Sequence, residues 1–270
     1  MGKIIAIANQ KGGVAKTTTS VNLSASLAAT KRSVLLVDMD PQGNATMGSG
    51  IDKSDLPASI YHVLVGEADI TEAIHQTEEA GYDLLPANAD LTAAEVELLN
   101  LSGRERRLKE ALDKVKDQYQ YIFIDCPPSL NMLTLNSLVA ASAVLIPIQC
   151  EYYALEGLTA LVNTIEEIKG SLNPGLSIEG LLRTMYDPRN RLSNDVTLQL
   201  QKYFGDRLYR TVIPRNVRLA EAPSYGVPVL LYDRTSRGAQ AYLALAGEIV
   251  RREEQRSRGP QSVSNDAVNV

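Results

Sequence analysis

Lys11-Gly12-Gly13-Val14-Ala15-Lys16-Thr17-Thr18 puts two lysines, a glycine pair and two hydroxyls into eight consecutive residues, a set suited to gripping phosphate. A tight loop of this kind points successive backbone N–H groups at one spot, and a helix opening behind it adds positive partial charge. Lys16 then reaches the β- and γ-phosphates of a nucleotide, and Thr17 offers its hydroxyl to magnesium. A glycine pair alone marks only a turn; followed by Lys-Thr-Thr between a buried strand and a helix, it is far more specific. Carboxylates come next. Asp38 and Asp40 lie in Val37-Asp38-Met39-Asp40-Pro41, where an acid can orient an attacking water or hold magnesium through one. One of the two is expected merely to cap the following segment. Asp125 closes an apolar run ahead of Cys126-Pro127-Pro128-Ser129, where an aspartate beside a phosphate loop partners magnesium through water.

These groups need a scaffold that delivers them to one crevice. Lys3–Ala8, Ser33–Asp38, Tyr121–Asp125, Ala143–Ile148 and Ile178–Met185 read as buried strands, and about Lys16–Thr30, Leu130–Ala141 and Ala154–Lys169 as helices. Arg104–Lys116 has Leu108, Leu112 and Val115 on one stripe of a charged segment, which predicts a surface helix. Apolar strands alternating with helices imply an α/β fold: a mainly parallel, twisted sheet with helices on both faces. Connection handedness predicts that the first strands lie side by side with their C-terminal ends on a common crevice. The expected organisation is one nucleotide-binding domain over residues 1–255 and a disordered polar tail over 256–270.

Together, KGGVAKTTT, LLVDMDPQGNAT and FIDCPPS resemble the deviant Walker-type P-loop ATPases of the ParA/Soj and MinD superfamily. The match continues through Gln149-Cys150-Glu151-Tyr152-Tyr153, Val212-Ile213-Pro214-Arg215-Asn216-Val217-Arg218 and Ser236-Arg237-Gly238-Ala239, and is most similar to the short chromosomal Soj type. The resemblance implies ATP and Mg2+ as cofactors, with Gly12, Gly13, Val14 and Ala15 in the phosphate loop. It makes Lys11 the lysine that crosses to the partner's phosphates in a nucleotide-sandwich homodimer. Lys16 and Thr17 keep the phosphate and magnesium roles, Thr18 touches the α-phosphate, Asp40 positions the hydrolytic water, and Asp125 is the Walker B carboxylate. Pro214 and Asn216 pack and read the adenine. Arg189 and Arg218 resemble arginines that grip double-stranded DNA without sequence preference once the protein is dimeric, and the expected protein partner is a ParB-type centromere-binding protein that stimulates hydrolysis. One position departs from the family pattern: Ala15 stands where the family has glycine. If the backbone there needs positive φ, the alanine costs about 1 kcal/mol or more; otherwise its methyl crowds the partner subunit. Weak dimerisation and hydrolysis are the expectation for this chain.

Composition supports the same direction. The net charge of −5 conceals an asymmetry: residues 181–258 carry 14 Lys or Arg against 8 Asp or Glu, whereas residues 1–180 carry 13 against 23. A basic C-terminal third agrees with a phosphate-backbone partner. No stretch approaches the roughly 18 apolar residues of a membrane span, and no signal-peptide pattern opens the chain, so a cytoplasmic, nucleoid-associated protein is expected. A MinD-like membrane cycle wants an amphipathic C-terminal helix, which RREEQRSRGPQSVSNDAVNV does not supply. A redox role like that of the nitrogenase iron protein needs two cluster-holding cysteines; Cys126 and Cys150 instead read as buried thiols. A small-molecule ligase on this scaffold would need a substrate motif that the sequence does not display.

Overall fold

The computed structural model describes residues 2–257. Among them, seven strands form one sheet: β1 (Lys3–Ile7), β2 (Val34–Asp38), β3 (His75–Gln76), β4 (Asp83–Leu85), β5 (Tyr121–Asp125), β6 (Ala143–Gln149) and β7 (Ser177–Thr184). Their spatial order is β3-β4-β2-β5-β1-β6-β7, and every neighbouring pair is parallel except β3–β4. The central strands are apolar on both faces because helices cover both. Ile4 and Ala6 of β1 enter one core with Ile122 and Ile124 of β5, while Ile5 and Ile7 enter the other with Tyr121 and Phe123.

One topological expectation is corrected. β1 and β2 are not neighbours, because β5 lies between them and pairs with both. The Lys16–Ala28 helix steps the chain over one strand position, and the vacancy goes to a segment apolar on both sides. The register sets both Ile7 and Asp38 opposite Asp125, so the last residues of the three strands end at one level.

On one face the Lys16–Ala28 helix packs against the long Arg237–Ser257 helix, joining Leu23 and Leu27 to Tyr242, Leu245 and Ile249. Burying each such leucine contributes about 1.5–3 kcal/mol. The helices Met132–Ala140, Ala154–Ser171 and Arg191–Phe204 bring Leu133, Leu158, Ile165 and Leu200 to the opposite core.

The predicted 104–116 helix is shorter, Arg107–Asp113, with a 3-10 turn at Lys116–Gln118. Buried Asn136 fixes its start by donating to the Arg104 carbonyl at 2.8 Å and accepting from the Leu108 N–H at 3.2 Å. Similarly, the helix expected from Leu130 begins at Met132, because Asn131 caps it by accepting from the Thr134 N–H at 3.1 Å. β3, β4, the Arg191–Phe204 helix and the Arg237–Ser257 helix were not anticipated. The last of these runs to Ser257, into the predicted tail; residues 258–270 lie outside the described residues.

Candidate nucleotide site

The loop after β1 is fixed from below. Asn9 is buried and donates to the Pro147 carbonyl at 2.7 Å, while its own Oδ1 accepts from the Lys11 N–H at 2.9 Å. Thr184, at the end of β7, donates to the Val14 carbonyl at 3.0 Å. Gly13 at φ 72° and Ala15 at φ 66° both lie in the left-handed region. Placing them two residues apart curls the backbone so that its N–H groups can converge, which is the concavity that phosphate requires. The conditional expectation for Ala15 therefore resolves toward backbone cost: position 15 has positive φ, and alanine bears the left-handed penalty of about 1–2 kcal/mol.

Behind the loop, the first turn of the Lys16–Ala28 helix meets β5. Thr17 donates to Asp125 Oδ2 at 2.7 Å and Ser20 donates to Asp125 Oδ1 at 2.8 Å. Asp125 is fully buried; that burial, with the nearby charge of Asp38, raises its carboxyl pKa, against the opposing pull of the two hydroxyls. Burial lowers the Lys16 pKa, partly offset by the charge of Asp125, and its Nζ donates to the Lys11 carbonyl at 3.2 Å. A desolvated lysine beside a desolvated carboxylate is an arrangement in which added phosphate and a divalent cation would each meet an opposite charge.

The two acids at the end of β2 and just beyond it have different surroundings. Asp38 is fully buried and accepts from the Thr46 N–H and hydroxyl, both at 2.8 Å, and from the Asp40 N–H at 3.1 Å. It is the structural member that ties down the turn, and burial raises its pKa. Asp40 lines the cavity instead.

That cavity, about 420 Å³, is bounded by Gly12, Gly13, Ala15, Lys16, Thr17 and Thr18 on one side and Pro214, Arg215 and Asn216 on the other. Its volume suits a nucleotide-sized ligand. Asn216 Oδ1 caps the Val217–Glu221 helix by accepting from the Leu219 N–H at 3.3 Å, which leaves the amide nitrogen as the group able to bond a base. Among the described residues no cluster of three or more His, Cys, Asp or Glu could hold a metal by itself. One hydroxyl and one carboxylate beside a phosphate loop nevertheless fit magnesium, which takes few protein ligands and completes its shell with phosphate oxygens and water.

The AAA domain family matches residues 2–178. The sporulation initiation inhibitor protein Soj of Bacillus subtilis is 57% identical over 92% of this chain and 98% of its own length. The chain belongs to the ParA/Soj family of chromosome-partitioning ATPases. The chromosome partitioning protein ParA of Caulobacter vibrioides is 53% identical, covering 94% of this chain and 96% of the relative. Among solved structures, a cobyrinic acid a,c-diamide synthase from Mycobacterium smegmatis with bound ADP and magnesium superposes with a TM-score of 0.83 at 40% identity, over 95% of this chain and 97% of that one.

Against this ParA/Soj frame, the expected site residues fall into three groups. Gly12, Gly13, Ala15, Lys16, Thr17, Thr18, Asp40, Pro214 and Asn216 share one cavity, with Asp125 bonded to Thr17 beneath it. Val14 belongs to the loop but is buried, so only its backbone serves the site. Lys11 does not line the cavity: its Nζ lies 2.5 Å from Glu151 Oε2 of the same chain. The two DNA-contact candidates are also engaged within the chain. Arg189 is 87% exposed and makes two hydrogen bonds to Asp187, at 3.0 and 2.8 Å. Arg218 lies 2.8 Å from Glu221 and 3.4 Å from Asp233, a local ion-pair cluster within the chain. Ser20, Met185 and Tyr242 were missed. Ser20 was detectable as a second hydroxyl three residues after Thr17 on the same helix face. Met185, with φ 47°, and Tyr242, which bonds Thr19 at 3.1 Å, reach the cavity wall from distant segments and leave no local signal. Cys126 and Cys150 are buried free thiols, and no helix among the described residues is long and apolar enough to cross a membrane.

Proposed function

We propose that this chain is an ATP- and magnesium-dependent partition switch: a single ATPase domain over residues 1–255 that hydrolyses ATP slowly, forms an ATP-bound homodimer and, as that dimer, holds double-stranded DNA without sequence preference. The Thr17–Asp125 hydrogen bond at 2.7 Å carries the reading, because it joins the phosphate loop to the strand end where magnesium chemistry needs a carboxylate. Lys16 binds the terminal phosphates, and the Gly12–Thr18 backbone surrounds them with N–H groups. Magnesium, when bound, neutralises phosphate charge. Thr17 would offer that ion an oxygen lone pair while its hydroxyl proton stays on Asp125, and Asp125 would act through water. Asp40 accepts a proton-side hydrogen bond from the attacking water and orients it. Pro214 packs the base and Asn216 bonds it.

Lys11 leaves Glu151 to reach the partner's phosphates in the dimer. Arg189 and Arg218 exchange their carboxylate partners for DNA phosphates, and the basic balance of residues 181–258 supports that reading. Hydrolysis, stimulated by a ParB-type protein, dissolves the dimer and releases the DNA, so DNA affinity is linked to the nucleotide state. The protein then resides in the cytoplasm on the nucleoid. Ala15 weakens dimerisation or hydrolysis, because alanine strains the left-handed loop conformation beside the nucleotide cavity.

The test is binding to an arbitrary duplex with ATP, with ADP and without nucleotide, using this chain beside Ala15→Gly. ATP-dependent binding by the glycine form alone supports both the switch and the assigned defect. Equal binding by both forms supports the switch and removes the defect. Failure of both at low salt overturns the partition reading in favour of a ParA-type ATPase with another cargo.

A further inference from the structure

A second cavity, about 650 Å³, lies away from the nucleotide site between the end of the Arg191–Phe204 helix, the segment after it and the last turns of the Arg237–Ser257 helix. Its cations are all arginines, Arg210, Arg251, Arg252 and Arg256, set against the carboxylates Asp206 and Glu248. None of its walls belongs to the nucleotide cavity. The chain from Leu208 at one cavity to Pro214 at the other spans at most about 20 Å when extended.

The four arginines are not equivalent. Arg252 is a fixed strut: it donates to the Asp206 and Leu208 carbonyls at 2.8 and 3.0 Å, pairs with Glu248 at 2.7 Å, and lies 4.3 Å over the Tyr209 ring. Glu248 is spent on the scaffold as well, accepting from the Arg210 and Thr211 N–H groups, both at 2.9 Å. Burial would raise its pKa, but those bonds and Arg252 outweigh burial and hold it low, so it stays ionised without facing outward. Arg256 reaches Glu179 at 2.9 Å and remains half exposed. Arg210 and Arg251 are exposed and have no ion pair or side-chain hydrogen bond among the described residues. A methyl group at Gly247 would lie 3.2 Å from Arg251 Nη1, so the glycine leaves room for that guanidinium to fold back along the helix.

The result is a concave site in which Glu248 is consumed internally and two guanidinium groups remain unspent at the rim, leaving the exposed Asp206 as the one carboxylate set against them. Guanidinium forks match phosphate oxygens two at a time, and their planar donors suit an oligophosphate better than a single small anion. A surface of merely solvated charges would be expected to mix lysine with arginine and to be flat rather than concave.

We propose that this cavity binds a small oligophosphate-bearing molecule, with Arg210 and Arg251 as its main contacts and Arg256 assisting. The site is separate from the phosphate loop and does not depend on the chain being a partition switch.

Titration calorimetry on the full chain, with ADP and magnesium saturating the first site, uses inorganic tripolyphosphate as the probe. One saturable binding event is expected, weakened ~10-fold or more in the double variant Arg210→Gln/Arg251→Gln. A fluorescent ADP analogue checks that the variant keeps its fold and first site. Absence of tripolyphosphate binding, or binding indifferent to the double substitution, overturns the proposal. So does a double variant that loses duplex DNA binding while the parent shows none for tripolyphosphate, because the two arginines would then belong to a nucleic-acid surface. If tripolyphosphate displaces the ADP analogue and binds nowhere else, the second site is likewise refuted.

Discussion

At the scale of single residues, the cavity beside the phosphate loop gathers desolvated charges: Asp125 and Lys16 both lose solvation on folding. Asp125 is a carboxylate without exposure, surrounded by two hydroxyls and near a second buried acid. Its folded pKa is raised above 3.8, so the folded state holds its proton more tightly than the unfolded chain does. The stability it contributes is full below the unfolded value and is lost as pH rises through the raised folded value. Asp125→Asn should therefore raise the melting temperature of the nucleotide-free protein at pH 8 by at least ~2 °C, with the gain vanishing near pH 4. The same variant should lose magnesium-dependent nucleotide binding; thermal melts across pH with and without MgATP check both halves. At Ala15 the direction is simpler. Glycine accepts φ 66° without the methyl penalty, so Ala15→Gly should raise the melting temperature by ~2–4 °C, measured without nucleotide to separate backbone strain from dimerisation.

At the scale of elements, the Lys16–Ala28 helix joins two surroundings: its first turn lines the nucleotide cavity and its remaining length packs into the core. Thr19, Ser20, Asn22 and Ser24 are all buried, which a hydrophobic helix stripe would not require. Each is hydrogen-bonded: Thr19 bonds Tyr242, Ser20 donates to Asp125, Ser24 donates to the Ser20 carbonyl four residues back, and Asn22 accepts from the Val229 N–H at 2.7 Å while donating to the Thr18 carbonyl at 2.7 Å. Asn22 thus connects the loop helix to the Val229–Tyr232 turn. Asn22→Ala leaves a buried N–H without its acceptor and should destabilise the protein by about 1–3 kcal/mol in urea unfolding. Because the bond braces the turn behind Thr18, the variant should also bind ATP more weakly than the loss of stability alone explains; titration at a temperature where the variant remains folded separates the two.

For the whole molecule, the distribution of charge makes a prediction that single contacts do not. A DNA-bound dimer carries two copies of every basic group, so each arginine touching phosphate counts twice in counterion release. Arg189→Ala should reduce the slope of log affinity against log salt by about 2, and Arg218→Ala likewise, with little change between duplex sequences. Arg218 must also leave Glu221 and Asp233, whereas Arg189 leaves only Asp187. Asp187→Asn removes the one carboxylate partner of Arg189, whereas Glu221→Gln leaves Arg218 with Asp233, so Asp187→Asn should tighten DNA binding more than Glu221→Gln does. Equal slopes for wild type and both arginine variants would remove these residues from the DNA surface.

Much of this protein is legible in its residues. The phosphate loop, the acid at the end of a buried strand and the alternation of apolar strands with helices are local patterns, and local patterns are what backbone sterics and hydrophobic periodicity impose on contiguous residues. They pointed to the fold class and to Lys16, Thr17, Asp40 and Asp125, which the folded chain brings together at one cavity. Three things required the folded chain. The insertion of β5 between β1 and β2 depends on which apolar segment best fills an interior strand position, a competition among distant segments. Asp38 and Asp40, two residues apart, received opposite tasks because only Asp38 faces Thr46 in the interior. Lys11, Arg189 and Arg218 gained carboxylate partners whose identity depends on where exposed side chains meet across loops and turns. Sequence specifies what a residue can do within its own segment; which charge stands opposite it is decided by packing between segments.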